Sequence, residues 1–250
     1  MPEIREKKPP ERGLMEKRPK ADIQELEREE KAKGHFAAGF GFYKLFWIFF
    51  IGCFLGVVIE TIWCLITRGH YESRTGLIYG PLNLVYGFGA LALTVSLYWL
   101  RKRSEIWVLI GSAVVGSVIE YLCSYVQERL FGSVSWDYSA MPFNLHGRIN
   151  LLYSLFWGIL GMVWIREIYP LLCRWILKIP NKVGKPLTWV LLVFMIFNSF
   201  MSGCAVLRWV ERQKDRPPAV PLGAYFDRYY PDGRMEKIYA NMKFISDREA

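Results

Sequence analysis

The sequence predicts an all-α membrane protein, a polytopic transmembrane helical bundle of about five spans. Apolar runs of about 20 residues fill the chain from Phe40 to Trp209 and match the length that crosses a hydrocarbon core of about 30 Å. Because backbone polar groups in lipid must bond internally, and the runs are too long for barrel strands, these spans are helices. Tryptophans at the span ends, among them Trp99, Trp107 and Trp189, are typical of membrane–water interfaces.

Composition divides the chain into three parts. Residues 1–39 are dense in charge and poor in aromatic residues, which predicts a mobile tail or a solvated helix. The transmembrane domain covers 40–210, with spans near 43–67, 78–100, 106–128, 149–169 and 187–209. A segment at 171–180 is too short to span and is predicted to be an interfacial helix. Residues 211–250 form an aromatic, basic C-terminal tail.

The first four spans are built from two tandem, parallel helix–loop–helix repeats, 40–100 and 101–170. Glycine, glutamate, proline and asparagine recur in the same order at an offset of roughly sixty residues, the kind of internal similarity that marks a duplicated unit. The first copy supplies Gly56, Glu60, Pro81 and Asn83, and the second supplies Gly116, Glu120, Pro142 and Asn144.

Glu60 and Glu120 are the strongest functional candidates. An ionisable group within a span costs about 2.5–3.5 kcal/mol on insertion scales, so it indicates function by default. If the repeats face each other, the two carboxylates face each other as well. The alternative is that each glutamate caps a backbone group or pairs with an arginine and only stabilises the bundle.

The two polar loops form the second group of candidates. Pro81 and Pro142 are expected to mark the start of the returning helices, whose N-termini, with Arg74 and Arg148, would attract an anion. The alternative is a capping arrangement, with a salt bridge between Asp137 and Arg148. The full set of substrate-site candidates is Glu60, Glu120, Arg74, Tyr79, Asn83, Tyr86, Trp136, Asp137, Asn144, His146 and Arg148.

Several classes of function are excluded or disfavoured. The net charge of +9 reflects basic residues beside spans, where anionic lipid attracts them, so membrane lipids are expected partners and nucleic acid is not. No ATP-binding loop and no hydrolase motif occurs, which leaves enzymatic activity undecided. The five cysteines form no CxxC pair and the histidines lack metal-site spacing. We therefore expect no metal and no cofactor.

Basic residues also predict the orientation. The N-terminal tail and the connections at 101–103 and 166–185 are rich in Lys and Arg, whereas the two glutamate-associated loops are poor in them. The positive-inside rule places the N-terminus in the cytoplasm of a multi-pass cell-membrane protein. Five spans would leave the C-terminal tail outside, although it carries many basic residues.

The stretch from Phe40 to Arg212 resembles the bacterial CmpB-like family of type IV ABC-transporter permeases. The likeness rests on Glu60 with Trp63, Glu120, and three short motifs at 77–81, 86–87 and 136–148. The resemblance implies a transport function and carries over no substrate or catalytic residue. The chain departs from the family pattern in the last span at position 198, which is Asn.

The leading hypothesis is a transporter permease subunit, with Glu60 and Glu120 lining the path and the loops forming its entry. If ATP drives transport, a separate cytoplasmic ATPase must dock at Arg101–Arg103 and the 166–186 connection. One alternative is a membrane-embedded enzyme acting on a lipid or cell-envelope intermediate. The other is a non-catalytic membrane scaffold.

Overall fold

The computed structural model describes residues 23–244 and is mostly helical with almost no sheet, which confirms the all-α membrane bundle. Its helices are α1 Ile23–Ala32, α2 Phe42–Arg68, α3 Leu84–Leu100, α4 Glu105–Phe131, α5 Leu151–Val163, α6 Tyr169–Leu177, α7 Asn181–Arg212, α8 Pro221–Tyr229 and α9 Asp232–Ile238. Short strands are β1 Ser133–Val134, β2 Asn144–Leu145, β3 Ile149–Asn150 and β4 Lys243–Phe244. β1 pairs antiparallel with β4, and β2 pairs antiparallel with β3.

Within residues 23–244, four helices are long and apolar enough to cross a membrane. They are α2, α4, α7 and one helix over Leu151–Leu177, in which a π-helical segment, Trp164–Ile168, joins α5 to α6. The remaining predicted span, 78–100, corresponds to a shorter apolar helix, α3, of 17 residues. The predicted span 78–100 began too early, because residues 78–83 are not helical.

The segment predicted as an interfacial helix, 171–180, contains most of α6. This helix is continuous with α5 and buries Leu172, Cys173 and Ile176 against its neighbours. Pro180 precedes the next helix, α7. The position of α6 relative to a membrane surface stays a prediction.

The prediction of a mobile tail is wrong for residues 23–39, while residues 1–22 lie outside the described part. Leu26 and Phe36 pack into the core that α2, α3 and α6 share. Glu30 forms an ion pair with Lys44 of α2, and both side chains are only 1 % exposed. This interior place was not predicted because the helix is highly charged.

The bundle has two distinct ends. The N-terminal end carries α1, the α3–α4 connection and the start of α7, where Asn181 Oδ1 accepts a hydrogen bond from the Phe36 amide at 2.7 Å. The opposite end, here called the loop end, carries segments 69–83 and 132–150. The C-terminal tail folds at the loop end as a C-terminal cap, residues 221–244, whose core includes Trp209, Phe226 and Met235.

Candidate functional site

The first loop, segment 69–83, begins at the loop end and then returns into the bundle. The Asn83 amide donates to the Cys53 carbonyl at 3.1 Å, and Cys53 lies 15 residues before Arg68, the last residue of α2. That separation corresponds to about 20 Å of helix. Leu77 and Leu82 are buried on the way. The last part of segment 69–83 therefore runs without helical structure beside α2, a helix long and apolar enough to cross a membrane. Non-helical backbone at membrane depth is tolerated only where protein or a polar cavity surrounds it.

Asn198 of α7 holds this segment. Its Oδ1 accepts from the Tyr79 amide at 3.2 Å, and its Nδ2 donates to the Tyr79 carbonyl at 2.7 Å. One turn later, the Ser202 hydroxyl accepts from the Ile78 amide at 2.9 Å. Asn198 is fully buried, so the amide replaces the hydrogen bonds that a helix would give this backbone.

Asn198 and Ser202 were not among the predicted site residues. The available signal was a polar pair at i and i+4 inside an apolar span, whose side chains share one helix face. A serine inside an apolar helix commonly bonds its own helix backbone, as Ser199 does: its hydroxyl donates to Met195 O at 2.7 Å.

Asn83 caps the returning helix α3. Its Oδ1 accepts from the Val85 amide at 3.0 Å, and its Nδ2 donates to the Arg74 carbonyl at 3.1 Å. Tyr86, in the first turn, lies directly on Gly56 of α2, where any Cβ would overlap the tyrosine ring. The cap and this close contact fix the start of α3 beside the helix that carries Glu60.

Glu60 faces an arginine that the returning loop supplies. Arg74 Nε lies 3.6 Å from Glu60 Oε1, while its Nη2 donates to Glu72 at 3.0 Å and to Cys64 Sγ at 2.7 Å. The Arg74 side chain is 7 % exposed and that of Glu60 is 34 % exposed. A buried cation thus lies between two carboxylates, one of them open to the surroundings.

Glu72 is the firmer of the two partners of Arg74. Burial raises the pKa of Glu72, but Arg74 and Arg68 more than offset this, and the pKa lies below its usual 4.5. Arg68 donates to the same carboxylate at 2.5 Å. Glu72 was absent from the predicted site, because an acid four residues after an arginine at a helix end is usually a surface pair.

Glu120 is held by neutral donors. The Tyr138 hydroxyl donates to its Oε1 at 2.9 Å, and the Trp157 indole donates to its Oε2 at 3.0 Å. Trp157 lies on Gly116, where a Cβ would overlap the indole. Glu120 is buried, with 9 % exposed. Its two donors were not predicted, since no spacing in the sequence relates Tyr138 of a loop and Trp157 of α5 to position 120.

Tyr138 lies in the electrostatic field of both glutamates. Burial and the Glu120 carboxylate raise the pKa of the Tyr138 hydroxyl, and Glu60 raises it further. Besides Trp157 of α5, the hydrogen-bond partner of Glu120 is thus Tyr138, a residue of the second loop. In each hairpin an aromatic side chain of the returning helix covers the glycine one turn before the glutamate.

The second loop differs from the first, and one prediction about it is wrong. Pro142 does not start the returning helix; β2 and β3 follow it, and α5 begins after Asn150, whose Oδ1 accepts from the Tyr153 amide at 2.9 Å. Asn144 instead closes the hairpin turn, accepting from the Gly147 amide at 3.0 Å. The local proline–asparagine pattern is shared, but six residues, 145–150, separate Asn144 from α5, whereas Asn83 directly precedes α3.

The remaining candidates support the second loop. Arg148 forms its ion pair with Glu128 at 2.6 Å, and its carbonyl accepts from the Trp136 indole at 2.9 Å. Asp137 Oδ1 accepts from the Ser139 amide at 3.0 Å and from the Ser139 hydroxyl at 2.6 Å. His146 Nδ1 lies 2.9 Å from the Tyr121 hydroxyl. None of these bonds goes directly to Glu60 or Glu120, so they support the loop that carries Tyr138.

Comparison with known proteins gives one match. A family described as "Putative ABC-transporter type IV" matches residues 47–203. This range includes Glu60, Glu120 and both loops, together with Asn198. No curated protein and no solved structure matches the chain.

Proposed function

Since the chain belongs to the family described as "Putative ABC-transporter type IV", we propose that it is the membrane-embedded permease subunit of a transporter. The observation that carries this proposal is segment 69–83, a non-helical chain at membrane depth that brings Arg74 to Glu60. Broken or re-entrant segments of this kind line cavities in transporters, where they supply polar groups to the cargo.

We assign the path to the region between Glu60 and Glu120, at which Tyr138 is inserted. Arg74 has two carboxylates within reach, Glu72 at 3.0 Å and Glu60 at 3.6 Å. A cation or proton arriving at Glu60 replaces the weaker contact of Arg74 while the stronger one to Glu72 persists. Glu120 is hydrogen-bonded only by neutral donors in the described contacts, so no cation among these contacts competes there with one that arrives on the path.

The energy source in this proposal is a separate cytoplasmic ATPase. The chain has no P-loop sequence with which to bind ATP itself. Its N-terminal end offers the Arg101–Arg103 connection and the stretch 166–186 as the docking surface. Recovery of transport-coupled ATPase activity from the purified chain alone would contradict this division of roles between a permease subunit and a separate ATPase.

The experiment is lipid and metabolite profiling of a deletion strain, complemented with wild type, Glu60→Gln or Glu120→Gln. Glu105→Gln, at the exposed start of α4, is the matched control. We expect the first two variants to be present at normal protein levels but to leave the cargo distributed across the membrane as in the deletion strain. The control is expected to restore the wild-type distribution. If both glutamine variants complement fully, the transport proposal fails and a scaffold remains.

A second candidate function is a membrane-embedded enzyme acting on a lipid or cell-envelope intermediate. The observation that favours it is the 34 % exposure of the Glu60 side chain. A half-exposed acid beside a buried arginine can protonate a substrate that enters from the bilayer. The same profiling separates the two functions. A transporter mutant redistributes an unchanged compound, whereas an enzyme mutant accumulates a chemically distinct precursor.

A further inference from the structure

A groove on the outside of the bundle lies between α4 and the β2–β3 hairpin. Its volume is about 450 Å³, and its walls are mainly apolar, with Val114, Val118 and Leu122 on α4 and Leu145 and Ile149 on the hairpin. Glu120 takes no part in it, because that side chain points to Trp157. The groove is therefore separate from the proposed path.

The floor of the groove needs no polar ligand. Ser117 and Ser154 lie there, and their hydroxyls bond each other at 2.6 Å. Ser154 also donates to the Asn150 carbonyl at 2.9 Å. With these groups satisfied, and with Val114 and Val118 57 % and 50 % exposed, the groove presents hydrocarbon to the interior of the bilayer.

Towards the loop end, the same face of α4 becomes aromatic and then basic. Tyr121, Tyr125 and Arg129 follow at intervals of four residues, and the Arg129 guanidinium lies 5.3 Å from the centroid of the Tyr125 ring. Arg129 is exposed and makes no ion pair within residues 23–244. Arg148 lies over the same two rings, but Glu128 neutralises it.

The dimensions of this face match one lipid molecule. Ala113, at the deep end, and Arg129 are 16 residues apart on α4, which corresponds to about 24 Å. Half of a bilayer, with its headgroup region, measures about 20–22 Å. An acyl chain in the groove thus places its headgroup phosphate beside the free guanidinium of Arg129.

We propose that this groove is a specific binding site for an anionic phospholipid, with one acyl chain between α4 and the β2–β3 hairpin and the phosphate at Arg129. The hydrophobic part supplies the affinity, and the arginine selects the negative headgroup. The lipid site uses no residue of the proposed path, so the proposal of a lipid site does not depend on the proposed transport function.

The test is native mass spectrometry of the full chain released from nanodiscs that contain equal amounts of phosphatidylglycerol and phosphatidylcholine. The wild type is expected to retain one phosphatidylglycerol. Val118→Trp fills the groove and is expected to reduce the retained lipid at least tenfold. Val193→Trp is the matched control: Val193 is 65 % exposed on α7, away from the groove, and its variant is expected to retain lipid as the wild type does.

A second variant tests the headgroup without altering the groove. Arg129→Gln is expected to retain a lipid but to lose the preference for phosphatidylglycerol over phosphatidylcholine. Equal retention by wild type and Val118→Trp overturns the proposal, as does an unchanged preference in Arg129→Gln. A dimer that Val118→Trp abolishes also overturns it, because the occupant is then a second copy of the chain.

Discussion

At the scale of single residues, a few buried polar side chains determine the path of the backbone. Asn198 supplies both a donor and an acceptor to Tyr79, which lets a loop cross the hydrophobic interior without orphaned peptide groups. Arg74 likewise provides an ionic partner for two carboxylates, since it lies between Glu60 and Glu72. Two residues thus hold the segment that carries the proposed function.

Asn198→Leu removes both hydrogen bonds from the Tyr79 peptide groups and leaves them buried. Each orphaned group costs about 1–3 kcal/mol, so we expect a loss of about 2–6 kcal/mol in the free energy of unfolding. Thermal unfolding in nanodiscs measures it. Ser199→Ala, which loses only a bond to its own helix, is the control and is expected to stay near wild type. An unchanged unfolding temperature in Asn198→Leu would show that the loop does not depend on this amide.

The pH dependence of stability contains a contribution from Glu72. Its folded pKa lies below 4.5, because Arg74 and Arg68 outweigh the effect of burial. A carboxylate of this kind stabilises the fold fully above the unfolded pKa, and the contribution is lost as pH falls through the folded pKa. We therefore expect Glu72→Gln to lower stability at pH 7 and to make the decline below pH 4.5 shallower.

Thermal unfolding between pH 7 and pH 3 checks this expectation. Glu236→Gln changes an exposed acid of α9 and is expected to reproduce the wild-type profile. If Glu72→Gln declines as steeply as wild type, the ion pairs of Glu72 do not contribute to stability.

At the scale of elements, charged or polar segments are packed as firmly as the apolar spans. α1 lies against α2 and α6 because Glu30 and Lys44 bury their charges together, and Glu30 also accepts from the Gly39 amide at 3.0 Å. The C-terminal cap is attached through α7, where Arg208 donates two bonds to Asp227 at 2.9 Å. Each end of the bundle is thus closed by an element outside the long apolar helices.

Removing one partner of the Glu30–Lys44 pair leaves an uncompensated buried charge. We expect Glu30→Met or Lys44→Met alone to cost about 3–5 kcal/mol, and the double variant to cost much less than the sum. Unfolding in denaturant measures the free energies, and hydrogen exchange of residues 23–32 reports whether α1 detaches. Additive losses in the double variant would contradict a direct pairing.

At the scale of the whole molecule, the first and last described segments, α1 and β4, lie at opposite ends of the bundle. α1 packs beside the start of α7, while β4 pairs with β1 just after α4. The C-terminal cap also meets the first loop, because the hydroxyls of Ser73 and Thr75 both donate to the Ile238 carbonyl at 3.1 Å. We therefore expect an odd number of membrane crossings, in which the shorter helix α3 is the fifth.

Topology reporters test this arrangement. We expect a fluorescent reporter fused at the N-terminus to be cytoplasmic, as the basic connections indicate, and an alkaline phosphatase fused at the C-terminus to be active outside. The exchanged fusions serve as the control and are expected to be inactive. Reporters that place both termini on one side would contradict the packing of the C-terminal cap against the loops.

The sequence by itself determined the class of fold, since the length and apolarity of a span follow from bilayer thickness and are local properties. It also singled out Glu60 and Glu120, because charge in an apolar run is visible without coordinates, and their functional role stays a prediction. The correspondence between the two repeats stays a prediction, and Asn83 and Asn144 have different partners.

Only the tertiary structure decided what those residues contact. Tyr138 and Trp157 reach Glu120 from 18 and 37 positions away, and Asn198 meets Tyr79 across 119. The docking of α1 and of the C-terminal cap likewise depends on ion pairs between distant segments. Such contacts arise from the packing of several helices at once, so no periodicity or spacing along the chain encodes them.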